Sequence, residues 1–262
     1  MRFFILSVTA LLLSPQAPLE VMHGAAERQQ FKVTTVKKGG NTKYFARKPW
    51  TGLFSAKKFG RNDQSKLKNI QSTLQASIVD LPSSHTAALK KLEVRKSQHR
   101  SRGLANSKMV ILNTESISSQ DELQAVFTHE MGHVVDLGML KPNGRTKSVF
   151  WTKGTQVFKG DPSIDFYQLS WSDHNSRKKS AMRKDFISGY AMSSPYEDFA
   201  ESYLFYRLHG EKFRNIAVES PALQAKYNFM RLRVFKGQEF QTQKVAQGFL
   251  HNLIWDATLV KL

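Results

Sequence analysis

The chain has no cysteine. No disulfide can brace it and no thiolate can ligate a metal, so stability must come from the core, and any bound ion must rest on imidazole and carboxylate. Acids are scarce: 21 Asp and Glu stand against 39 Lys and Arg, a formal balance of +18. Between Arg28 and Asn62 there is no acid at all against ten Lys or Arg, with Gly39, Gly40 and Pro49 interspersed. Residues 27–60 therefore read as a basic, flexible lead. Long apolar runs are also missing, apart from FFILSVTALLL at 3–13 directly after Met1 and Arg2. A charged start and a short apolar stretch match a secretory signal peptide, and GAA ending at Ala26 offers the small residues for cleavage, giving a signal over 1–26. The run is too short to span a bilayer and none of similar length follows, so the mature chain is expected to carry no transmembrane segment and to be secreted or periplasmic. Losing Arg2 and Glu20 leaves the charge at +18. No nucleic-acid motif accompanies the basic clusters at 90–102 and 176–184, so nucleic acid is not inferred; anionic envelope polymers or lipid headgroups are candidate partners, and a merely solvated surface is an equal reading.

What is present is a chain of 262 residues, 40% apolar, enough for one packed domain over 61–262. NDQSKLKNIQSTLQASIVDLP (62–82) puts Leu67, Ile70, Leu74 and Ile78 on one helical stripe that stops at Pro82. LEVRK (92–96) and MVILN (109–113) read as short elements, the second a strand near the core. Ser119 and Glu122 have capping-box spacing, and the apolar positions from Leu123 to Val135 continue a helix that Gly138 can close. Residues 139–190 form a long irregular excursion with short elements around FYQLSW. A second helix starts at SSPYEDFAESYLFYRLHG, with Ser194 as N-cap, Pro195 in the first turn and Gly210 at its end. A helix near PALQAKYNFMRLRVF and a terminal strand in IWDATLVKL complete the pattern.

The first of the two long helices carries FTHEMGHVVDLG at 127–138. In a helix, i and i+4 share a face, so His129 and His133 can aim two nitrogens at one point, a donor pair that suits zinc. Glu130, one position round, can stand beside the metal, hold a water and take its proton. A catalytic zinc needs a third protein ligand. A histidine after a further x-x-G-x-x is excluded, since Asp136 stands where the glycine should be and Met139 where the histidine should be. What remains is a carboxylate from EDFAE (197–201), where Glu197 and Glu201 lie one turn apart and either can ligate while the other orients a ligand imidazole. Glu197 can instead cap its own helix, Asp198 is expected in solvent, His174 is a rival third ligand and His209 reads as a helix-end cap.

HEMGHVVDLG followed by SGYAMSSPYEDFAES resembles the catalytic domain of the anthrax toxin lethal factor family, zinc peptidases of the gluzincin group. The resemblance is concentrated in 130–210 and extends plausibly over 60–262. It implies His129, His133 and Glu197 as ligands of one zinc ion, Glu130 as general base and Tyr190, seven residues before Glu197, as helper at the oxyanion. Glu201 then supports a ligand from behind, and Asp136 takes an orienting or structural role. Nothing resembles the toxin's receptor-binding region, and neither its specificity nor its toxicity is implied.

The expected fold is α+β and zincin-like, a small mixed sheet with the active-site helix beneath it and a helical lower half. The expected function is a secreted zinc endopeptidase acting on a peptide or protein, with MVILN as the edge strand that receives an extended substrate. Two other readings share these residues: a non-catalytic envelope-binding protein on the same scaffold, and a zinc amidase of cell-wall crosslinks.

Overall fold

A computed structural model describes residues 33–38, 41–46, 53–79, 81–152, 155–240 and 254–261. The expected signal segment, 1–26, lies outside them. Strands β1 (Val33–Lys38) and β2 (Asn41–Ala46) pair antiparallel in a hairpin. Strand β3 (Phe54–Lys57) follows and buries Phe54 and Ala56. Sheet structure thus begins within the stretch whose charge reads as a flexible lead, before residue 61.

The main sheet has the order β3-β4-β6-β5, with β4 at Lys91–Arg95, β5 at Gly103–Ala105 and β6 at Met109–Asn113. β3, β4 and β6 run parallel, and β5 runs antiparallel to β6. The crossover from β3 to β4 contains α1 (Gln64–Val79) and α2 (Ser83–Ala88). The stripe Leu67, Ile70, Leu74 and Ile78 is buried, as its spacing requires. MVILN is therefore an internal strand. Its apolar run reflects burial on both faces, with Val110 and Leu112 fully enclosed on one and Ile111 buried on the other, and the edges belong to β3 and the short β5 instead. A three-residue strand of small and polar neighbours has no periodicity by which to announce itself.

Helix α3 (Gln120–Val134) begins at Ser119, whose hydroxyl accepts from the Glu122 N–H at 3.0 Å. It packs on β5, β6 and α1 and then widens into a π turn, Val135–Met139. The excursion holds a hairpin, β7 (Lys147–Thr152) with β8 (Thr155–Phe158), and the short helix α4 (Ser163–Tyr167). Helix α5 runs over Pro195–Ala217 with Ser194 as N-cap. Gly210 does not end it. The chain leaves helical geometry at His209 (φ −137°, ψ 37°) and then resumes, because Phe213, Ile216 and Ala217 still find the core. Helix α6 (Pro221–Phe229) packs on α5. The terminal IWDATLVKL makes a 3-10 turn at Ala257–Leu259 rather than a strand, capped by the Asp256 carboxylate.

These pieces form an α+β domain with a small mixed sheet, α3 beneath it and a helical lower half around α5 and α6. No helix among the described residues is long and apolar enough to cross a membrane.

One close approach fixes the relation of α3 to α5. A Cβ on Gly132 would stand 2.8 Å from the Ala200 Cα and 3.2 Å from the Tyr203 Cβ, so only glycine admits this crossing. Below it, Lys226 is fully buried between the Asp198 carboxylate (2.6 Å) and the Asp185 carbonyl (2.7 Å), with the Trp171 indole N–H also on Asp198 (2.9 Å). Asp198 is thus sealed in rather than solvated, and it pins α6 and the excursion to α5.

Candidate metal centre

The crossing at Gly132 sets the HEMGH face of α3 against the EDFAE face of α5. Glu197 Oε2 lies 3.1 Å from His129 Nε2 and 3.3 Å from His133 Nε2. The two imidazole rings stand 5.0 Å apart and nearly perpendicular, at 81°. Among the described residues this is the one group of three or more His, Asp or Glu side chains whose ligand atoms converge, all within 4.8 Å. Glu201, one turn on, does not enter it. Its carboxylate accepts from His129 Nδ1–H at 2.8 Å, from the Ser188 hydroxyl at 2.5 Å and from the Ala257 N–H at 2.8 Å.

The donor chemistry fits a divalent cation. With Nδ1–H committed to Glu201, His129 presents a bare Nε2 lone pair to the Glu197 carboxylate, and two acceptors at 3.1 Å repel unless something positive lies between them. Tetrahedral zinc with bonds of about 2.1 Å spaces its donors roughly 3.4 Å apart, near the separations found here. Without a metal a proton takes that role. Burial opposes the imidazolium, yet the Glu197 and Glu201 carboxylates outweigh it and raise His129 well above the usual range, and Glu197 likewise raises His133. Glu197 is partly buried, and both imidazoles hold it well below the usual carboxylate range.

Glu130 projects beside this group, and burial pushes its carboxyl up despite the nearby imidazoles. The backbone of β5 lies directly over it. A Cβ on Gly103 would come within 2.3 Å of Glu130 Oε1, so the sheet edge closes the carboxylate in because position 103 is glycine. Tyr190, on the turn before α5, has its ring 5.9 Å from that of His129. Burial and the Glu197 and Glu130 carboxylates raise its phenol, which stays protonated. A cavity of about 640 Å³ joins these parts, lined by Arg102–Asn106, His129, Glu130, His133, Tyr190 and Trp255 among others.

The remaining sequence candidates go elsewhere. Both Asp136 oxygens accept from the Tyr167 hydroxyl, at 2.7 and 2.6 Å, which ties the π turn to α4, and burial raises the Asp136 carboxyl to about 7. His174 stacks on Trp151, with centroids 4.2 Å apart, and does not join the group. His209 is buried at the kink of α5 against Phe205 and is no surface cap. Ser194 alone caps α5, leaving the Glu197 carboxylate for the imidazoles.

Three parts of the site carry no sequence signature. Arg102 pairs with both Glu122 and Asp256, bridging the sheet edge to the C-terminal segment. Ser188 and the Ala257 N–H hold Glu201 from behind. Only the cap at Asp256 offers a local hint, and it says nothing of where that turn docks.

Residues 120–249, about half of the chain, match the model of a family described as "Putative zinc-binding metallo-peptidase". The match takes in both long helices and the excursion between them. Nothing among curated proteins or solved structures matches the chain. The fold is consistent with a zincin-like domain, and the family match together with the convergence of His129, His133 and Glu197 supports a zinc metallopeptidase.

Proposed function

We propose that the chain is a secreted zinc endopeptidase of the gluzincin type, similar to the lethal factor family in its ligand helix pair. The observation that carries this reading is Glu197 Oε2 poised between two Nε2 atoms, with a buried carboxylate, Glu130, beside them and a protonated phenol, Tyr190, on the same cavity. His129, His133 and Glu197 would hold the ion. Bound zinc supplies a Lewis acid that polarises a carbonyl and acidifies water.

The chain's own residues supply the rest. Glu130, enclosed by the β5 backbone, has a raised proton affinity, which suits a base that takes a proton from the attacking water and returns it to the leaving amine. The Tyr190 hydroxyl donates to the oxygen that gains negative charge as the carbonyl becomes tetrahedral. Glu201, held at its other oxygen by Ser188 and Ala257, keeps His129 Nδ1 protonated and Nε2 free. The exposed edge of β5 offers backbone groups to an extended peptide, in the role that MVILN cannot fill. The basic surface favours an anionic envelope setting.

Hydrolysis of a denatured protein by purified chain, with and without Glu130→Gln, tests the proposal. The expected result is cleavage that chelation abolishes and that Glu130→Gln lowers by about 10²- to 10⁴-fold while zinc content stays unchanged. Cleavage of peptidoglycan but not protein, or equal activity in the variant, would overturn it.

A further inference from the structure

The most exposed large aromatic among the described residues is Trp255, at 70%. Its backbone is nevertheless clamped. The Ile254 carbonyl accepts from Gly189 N–H at 3.0 Å, the Trp255 carbonyl accepts from Tyr190 N–H at 2.6 Å, and Asp256 and Ala257 hold Arg102 and Glu201. The ring leans on Gly189, where a Cβ would lie 2.5 Å from Cε3. The backbone is thus held while the indole, touching Gly189 at one edge, stays 70% exposed and free to meet a ligand.

Trp255 lines the cleft beside Tyr190 and Glu197, and it also walls a second hollow of about 320 Å³ with Arg183, Gly189, Met192 and Ser193. The hollow thus adjoins the cleft, with Trp255 lining both. Arg183 Nη1 is fixed by the Ser188 carbonyl at 2.7 Å and touches Met192 Sδ at 3.1 Å. An indole face, a thioether and a guanidinium plane are the three surroundings in which an aromatic ring packs best. A basic side chain meets Arg183 and the chain's +18 charge, and a small one leaves the hollow unfilled.

We infer that Trp255, with Met192 and Arg183, forms a subsite for an aromatic side chain of the peptide, at a fixed position relative to the bond cleaved. This rests on reading the cleft as a peptidase site, and the test separates the two. Zinc-loaded Glu130→Gln chain, which binds without turnover, is titrated with fluorescein-labelled short Ala/Ser peptides carrying one Phe, one Leu, one Lys or none, with fluorescence anisotropy as readout. The Phe peptide should bind about tenfold tighter than the unsubstituted one, and adding Trp255→Ala should erase that gain while Trp255→Phe keeps part of it. If Trp255→Ala fails to fold, Met192→Ala should lower the gain in its place. A gain that survives both variants, a preference for Leu or Lys, or no binding overturns the subsite. Wild-type cleavage products are then sequenced. Cleavage with no aromatic enrichment at any position refutes the subsite and leaves the peptidase, whereas aromatic-selective binding without cleavage refutes the peptidase and leaves the subsite.

Discussion

His129 and His133 reach the carboxylates of α5, whereas the core histidines His85 and His209 rest on uncharged groups with a lysine nearby in each case. The His85 ring lies between the Tyr203 hydroxyl (2.9 Å) and the Val234 carbonyl (3.0 Å), and His209 rests on Phe205. Burial disfavours an imidazolium and, helped by Lys236 beside His85 and Lys212 beside His209, takes both core histidines down to about 4. In the cleft the same burial acts, but Glu197 and Glu201 outweigh it and the shift reverses. A buried place that strengthens the hold on a proton has been built for a positive charge. The residue type is shared by both pairs, and the carboxylates of α5 make the difference.

The largest effects should come from removing the carboxylates one at a time. Glu197→Ala should lower zinc affinity by more than 100-fold. Glu201→Ala should lower it by about 10- to 100-fold, since it only releases the far side of His129. Competition with a zinc chelator measures both, and the reverse order would show that the helix register has been misassigned. A smaller effect should come from Gly132→Ala. The new Cβ meets the Ala200 backbone, and the overpacking should cost about 1–3 kcal/mol in urea unfolding of the metal-free chain. It should also weaken zinc binding, because α3 and α5 must separate. No loss of either would mean that the crossing is not tight.

The smallest effect concerns the core pair. His85 has a depressed pKa in the folded chain, so the unfolded chain takes up the proton first. Its contribution is intact above pH ~6.5, the unfolded value, and is lost as pH falls toward 4. The stability lost between pH 7 and 5.5 in chelator should therefore be about 1 kcal/mol smaller for His85→Gln than for wild type. An unchanged difference would show that burial does not govern this imidazole.

The parts of the site that lie within a few residues of each other were legible in the sequence. Helical spacing alone joins His129, Glu130 and His133, and the cap at Ser194 places Glu197 and Glu201 on one face. Spacing could not choose between those two carboxylates. That choice rests on the family resemblance; in the structure Glu197 lies beside both Nε2 atoms and Glu201 beside His129 Nδ1, the close approach of Gly132 to Ala200 setting which turn of α5 faces the imidazoles. Other features depend on contacts across the fold. MVILN is apolar because it is internal, so its hydrophobicity argues against the edge role expected of it. Asp198 looked solvated because its partner, Lys226, is 28 residues away. The C-terminal turn carries apolar residues that suit a strand, but Ala257 N–H is drawn to Glu201 instead.

The proposed peptidase requires α3 and α5 together to hold one zinc ion through two imidazoles and one carboxylate. The measurement that addresses it most directly is elemental analysis of the purified chain combined with zinc X-ray absorption, on wild type and Glu197→Ala. One zinc per chain, two histidine ligands in both proteins and loss of an oxygen donor in the variant is the predicted result. A chain that takes up no zinc, or a coordination sphere that Glu197→Ala leaves unchanged, would contradict it.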